Sequence, residues 1–197
     1  MGGEIKFEFD QVTVKNIEKR LGRMKSEAPK ALKNALNATA KDARKDLAQE
    51  AQKTYAVKVG GFNQQMKIKP ASTGNLVAVI NSTGAHLEMI KFSVHGGRGS
   101  PVSVLINKKH GRKTFSGRVF KNKISAKGQS GGGHVAVARF IGGNPKQPNR
   151  LKIEKLFSVS VPQMIGNKRD VYGIVEPNIL DNLRHNVDVQ VEKILGG

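Results

Sequence analysis

The 197-residue chain has no cysteine and no tryptophan. Without thiols it forms no disulfide framework, no thiolate zinc site and no cysteine nucleophile. Two tyrosines and eight phenylalanines are a modest aromatic supply, so a core has to rest on Val, Ile, Leu and Ala. Acid is scarce in one region: residues 51–150 hold a single carboxylate, Glu88, against 17 Lys and Arg. Long apolar runs are missing as well. The longest, Leu76 to Ile80, is far too short to cross a bilayer. The opening MGGEIKFEFD has neither the basic stretch nor the apolar run of a secretory signal, so a soluble chain made in the cytoplasm is expected.

What is present in excess is positive charge. The chain carries 34 Lys and Arg against 15 Asp and Glu, a formal net charge of +19. The first 50 residues contribute 11 bases and eight acids and the last 47 contribute six of each, so the middle holds almost all of the imbalance. A field of that size steers a protein towards polyanions or acidic protein surfaces. The middle is also rich in glycine and poor in apolar residues, which argues against its folding unaided.

Ile5, Phe7 and Phe9 alternate with Lys6 and Glu8, which predicts a half-buried strand. Val14, Ile17, Leu21 and Met24 recur at helical spacing, with Gly22 near the end. Ser26 as N-cap and Pro29 in the first turn open a second helix, Glu27 to Tyr55. Its stripe is Ala28, Ala31, Leu32, Ala35, Leu36, Ala40, Ala43, Leu47 and Ala51. So many alanines bury little area each but allow close approach. Met66–Pro70 reads as a short strand, Leu76–Ile80 as a fully buried one, Leu87–Val94 and Val102–Ile106 as two more, and Val135–Ile141 as strand-like in composition. Residues 144–150 read as a Pro-rich connector. Leu180, Leu183, Val187, Val191 and Ile194 fit a helix opened by Pro177, and Val187, Val189 and Val191 also fit a strand.

Two segments invite chemistry. Gly128-Gln129-Ser130-Gly131-Gly132 matches G-x-S-x-G, and His95-Gly96-Gly97 resembles an oxyanion loop. The nucleophile turn needs a buried strand before the serine and a helix after it. Neither flanks Ser130, so glycine abundance explains the match. Glu88 has no acidic neighbour for a carboxylate pair, and the histidines at 86, 95, 110, 134 and 185 show no ligand spacing. No nucleotide-loop motif occurs. No catalytic residue, cofactor or metal is therefore expected.

The stretch 107–133 is different. Lys108, Lys109, Arg112, Lys113, Arg118, Lys121, Lys123 and Lys127 stand among glycines with Phe115 and Phe120. It reads as a basic arm that tracks phosphate or docks on an acidic partner, against the plainer alternative of a solvated loop. RNA-module signatures are absent.

From residue 131 the string GGGHVAVARFIGG, then RLKIEKLFSVSVPQMIGN at 150–167, resembles the minor tail protein Z family of tailed bacteriophages and prophages. Arg150, Leu151, Ile153, Leu156, Ser160, Val161, Pro162, Gln163 and Met164 match its pattern in order. Asn34 to Arg44 resembles the family's "ALN-x-TA-x-x-AR" helix, and Ile90-Lys91-Phe92 its apolar-basic-Phe segment. Lys152 stands where a proline is common, and Phe157-Ser158 replaces an aromatic-Gly pair. The resemblance implies a virion structural protein, not an enzyme. Its place would be the head-proximal end of the tail, in a ring of six copies contacting tail terminator, tail tube and head connector proteins. Channel DNA would be touched without base specificity, and no membrane is involved. Phe115, Phe120, Val161, Pro162, Gln163 and Met164 are the expected assembly interface, although Val161 to Met164 read equally well as a strand-to-turn corner fixed by Pro162.

Together these readings predict an α+β fold. A mainly antiparallel sheet is packed by one long N-terminal helix in a single domain over 1–197, with a basic Gly-rich arm at 107–133. The competing expectation is a free basic protein that binds nucleic acid as a monomer.

Overall fold

The alternation of Ile5 and Phe7 with charged neighbours sets β1 (Gly2–Glu8). Asp10 then caps α1 (Gln11–Leu21), its Oδ1 accepting from the Thr13 amide at 2.6 Å. Gly22, at φ 55°, ends the helix in a conformation that other residues adopt only with strain. A 3-10 stretch at Gly22–Glu27 leads into α2 (Ala28–Thr54). The computed structural model describes residues 2–58, 61–97, 99–124, 133–144 and 147–196. Within them the fold is α+β with antiparallel pairing throughout and a long N-terminal helix.

The chain divides into two compact units. The first comprises Met1–Ala51, Gly61–Gly84 and Val161–Gly197; the second comprises Gln52–Gly60 and Ala85–Ser160. In the first unit β1, β2 (Met66–Lys69) and β3 (Val77–Thr83) form a sheet in the order β1-β3-β2. Phe7 faces Ala78, and both Ile5 and Ile68 face Ile80. Every member of the predicted α2 stripe is buried, from Ala28 to Ala51. Ile17 and Leu21 of α1, Leu32 and Ala35 of α2, and Val187 and Val191 of α4 (Tyr172–Leu195) share one cluster. The alanines let the helices approach, and Leu32 and Leu36 supply roughly 1.5–3 kcal/mol each of burial. Polar side chains fix the approach: Asn186 donates to Thr39 Oγ1 at 3.0 Å, and Asn37 bonds both the amide and the carbonyl of Ala71.

The second unit is built of short strands. β5 (Ser93–Gly97), β6 (Ser100–Leu105) and β7 (Arg112–Thr114) form one sheet. β8 (Val119–Ile124), β9 (His134–Asn144) and β10 (Gln147–Lys155) form another, in the order β10-β9-β8. β4 (His86–Glu88) pairs with β11 (Phe157–Ser160). Its interior holds Phe92, Val94, Val102, Val104 and the run Ala136-Val137-Ala138.

Four expectations change here. The strand expected at Leu87–Val94 is broken, because a 3-10 turn at Met89–Lys91 separates β4 from β5. The connector expected at 144–150 is mostly strand, since β9 runs to Asn144 and β10 starts at Gln147. α4 opens at Tyr172, five residues before Pro177, and it stays a helix through Val187, Val189 and Val191. The Asn167 carbonyl accepts from the Val171 and Tyr172 amides and so begins the helix earlier. The arm expected at 107–133 contains β7 and β8 as far as Ile124. β8 carries few apolar residues of its own, but pairing with the buried run of β9 satisfies the backbone groups that face it. Residues 125–132, with Lys127 and Ser130, lie outside the described residues.

Candidate docking groove of the basic unit

Charge is divided unequally between the two units. The second unit holds 17 basic residues against two acids, Glu88 and Glu154, a net of +15. Both acids are engaged within it. Glu88 lies 3.2 Å from His134 Nε2 and 3.4 Å from Lys155 Nζ, and Glu154 accepts from Arg139 at 2.8 Å. The other cations of the unit therefore project a field with little internal compensation.

The strand register places two rings together in this field. Phe120 on β8 faces Ala138 on β9, and Phe140 is the next residue of β9 on the same side. Such diagonal neighbours reach one another when both are aromatic. Their ring centroids are 4.6 Å apart with 29° between planes. One cleft, of about 600 Å³, is lined by this pair with Phe115, Arg118, Gly97 and Pro101. A second, of about 780 Å³, is lined by the same pair with Lys121, Lys123, Ile124 and Ile153. The two rings thus take part in both clefts, and cations border each. Lys113 Nζ sits 5.6 Å from the Phe115 ring centre, a cation–π placement.

The eight predicted basic contacts separate into distinct roles. Lys108 Nζ donates to the Gln52 carbonyl at 2.8 Å, and its amide donates to the Thr54 carbonyl. It caps the C-terminal end of α2, where exposed carbonyls attract a cation. Arg112 reaches along the sheet from β7 to β5, donating to the Ser93 carbonyl at 3.1 Å and to Ser93 Oγ at 2.8 Å. These two residues hold the chain's own backbone. Lys109 is exposed in the turn after β6, its amide bonded to Asn107 Oδ1. Arg118, Lys121 and Lys123 line the clefts and make no ion pair among the described residues.

The predicted interface residues separate as well. Phe115 and Phe120 are half-buried walls of the groove. Val161, Pro162 and Met164 belong to α3 (Val161–Ile165) of the first unit and are buried in it, Met164 completely. Their apolar surface is spent on packing against β1 and β3, so they do not form an exposed plug. Gln163 is the exposed member of the four. Phe140 and Ile153 were not among the expected contact residues, although Ile153 stands in the matched 150–164 pattern. Their signal was alternation along β9 and β10, visible only once the strands are aligned.

The His95-Gly96-Gly97 segment is the start of a hairpin. A side chain at Gly96 would meet the Pro101 carbonyl at 2.0 Å, and φ is 80° there, so glycine is required by the turn itself. Among the described residues no helix is long and apolar enough to cross a membrane. No protein-family model, curated protein or solved structure matches the chain.

Proposed function

We propose that this chain is a structural protein of a phage tail and neck. It completes the head-proximal end of the tail and supports head–tail joining and DNA passage, as a homo-oligomeric ring of six copies. The observation that carries the proposal is the segregation of charge: one unit holds a net of +15 around an open aromatic groove. That unit suits docking on acidic protein surfaces or on the DNA that passes through the ring. The resemblance of residues 131–167 to minor tail protein Z supports the same assignment.

The test is made on particles. Removing the chain from cells that assemble the particle is expected to leave heads and tails unjoined. Imaging of complete particles is expected to place it on the tail axis beside the head. Particles that assemble and join normally without it overturn the proposal.

The uncompensated cations Arg118, Lys121 and Lys123 also favour a second reading, a free nucleic-acid binder. Tight binding of duplex DNA by the monomer, weakening roughly 10³-fold or more between 50 and 200 mM salt, would favour that reading.

A further inference from the structure

The acids that the basic unit lacks are in the first unit, which holds 13 of the chain's 15. Two of them are surplus at one recess. It has a volume of about 530 Å³, is lined from the end of β1, α1 and α4, and has Phe9, Leu180 and Leu183 in its walls. Its arginines are engaged, Arg20 at 2.8 Å from Asp188 and Arg184 at 3.5 Å from Asp181. Glu8 and Asp10, on the same lining, are exposed and make no ion pair among the described residues. Asp10 keeps acceptor capacity beyond its bond to the Thr13 amide.

The cleft of about 780 Å³ beside Phe120 and Phe140 is the counterpart of this recess. Lys121 packs half-buried against Gly97 and Lys123 is exposed, so what the pair offers an outside group is its ammonium ends. The lysines stand two residues apart on β8, a separation of roughly 7 Å. Glu8 closes β1 and Asp10 is extended at φ −70° and ψ 159°, so the two acids repeat at a similar interval. Each recess also leaves one aliphatic side chain in water: Leu180 is 51% exposed in the first and Ile153 45% exposed in the second. Burying each against the opposite recess removes that apolar surface from water.

We propose that these two surfaces pair between copies of the chain, Glu8 and Asp10 of one copy meeting Lys121 and Lys123 of the next, with Leu180 and Ile153 covered between them. This names the partner of the basic unit inside the assembly and rests on the ring reading. Because the two surfaces differ, the contact is head-to-tail, and it closes as a ring or runs on as a filament. The basic unit's own two acids are already ion-paired, so its counter-charge comes from outside, and every copy supplies it to a neighbour.

A nucleic acid fits the cleft less well. Phe120 and Phe140 stack on each other, so each already spends a face that a base would need. A phosphate backbone also gives Ile153 no apolar partner, whereas a second copy brings Leu180.

Sedimentation velocity of the full chain tests this. The parent chain is expected to self-associate, less tightly as salt is raised. Glu8→Lys with Asp10→Asn, which keeps a competent cap, reverses one surface. Lys121→Glu with Lys123→Glu reverses the other. Each double variant alone should self-associate at least tenfold more weakly, with an amide spectrum that stays dispersed. Mixed, the two should bind each other as tightly as parent copies do, because the intact basic surface of one meets the intact acidic surface of the other. Leu180→Ser should weaken the contact roughly tenfold or more without altering charge. A parent chain that stays monomeric at about 1 mM overturns the proposal, as does a mixture that associates no better than either variant alone. Self-association that neither double variant weakens places the contact on another surface and also overturns it. Duplex DNA that binds a chain without self-association, and is lost with Lys121→Glu and Lys123→Glu, assigns the cleft to nucleic acid instead. Particles keep the two readings distinguishable. A chain that joins heads to tails yet does not self-associate through these residues overturns this inference and leaves the assembly reading standing. Variants that behave as expected in a chain found in no particle do the reverse.

Discussion

The ammonium of Lys108 donates to the carbonyl of Gln52, 2.8 Å away, and so closes the last turn of α2. A cation in a run of cations is thereby a helix cap, not a contact for an external anion. Lys108→Met keeps the aliphatic stem and removes the charge. It is expected to lower stability by about 0.3–1 kcal/mol, less at high salt, in urea unfolding. Affinity for a polyanion such as heparin should stay within twofold, whereas Lys121→Met should weaken it.

Asp10 caps α1 through the Thr13 amide, and that hydrogen bond holds its carboxyl below the usual carboxylate range. A lowered folded value means the contribution is present above about pH 4 and is lost as pH falls through the folded value. Asp10→Asn keeps a competent cap. Stability at pH 7 should be little changed, and the acid limb of the stability profile should become shallower. An unaltered acid limb would count against the cap's share in it.

At the other end of the pH scale, burial raises the Tyr172 hydroxyl above its ordinary value, and the neighbouring Glu176 carboxylate adds to the effect. Raised in the folded state, this group contributes stability below about pH 10 that is lost as pH climbs through the folded value. Tyr172→Phe should flatten the alkaline limb of a thermal-melting profile and leave the neutral region nearly unchanged.

Met164 is fully buried in α3. Met164→Ala should cost about 2–5 kcal/mol, as core truncations do. If the residue were an interface plug, the isolated chain would melt normally and only assembly would fail. A melting temperature equal to that of the parent chain would therefore restore the plug reading.

Deleting residues 108–130 removes β7 and β8 together with the Lys108 cap on α2 and the Arg112 bonds to Ser93. The second unit is expected to unfold, seen as the loss of dispersed amide signals from residues 134–144. A deletion variant that keeps those signals would mean that 108–124 hangs on the unit instead of building it.

The α2 stripe was legible residue by residue, because helical periodicity needs only the segment itself and the alanines recur without interruption. β1 was legible for the same reason at period two. β8 was not. Val119, Phe120 and Ile124 are too few to announce a strand, and they become one only against Ala136 to Ala138. Of the candidate site, Phe115, Phe120, Arg118, Lys121 and Lys123 were expected contacts from the sequence, whereas Phe140 and Ile153 were not.

The amino-acid sequence by itself determined the long alanine-faced helix and the concentration of positive charge in the middle of the chain, both properties of consecutive residues. Only the tertiary structure decided which cations are spent. Lys108 is committed because Gln52 lies beside it, Arg112 because Ser93 does, and Lys121 and Lys123 stay uncompensated because Glu88 and Glu154 are taken by His134, Lys155 and Arg139. A charge acts through what stands within a few ångströms of it, and those neighbours come from distant parts of the chain.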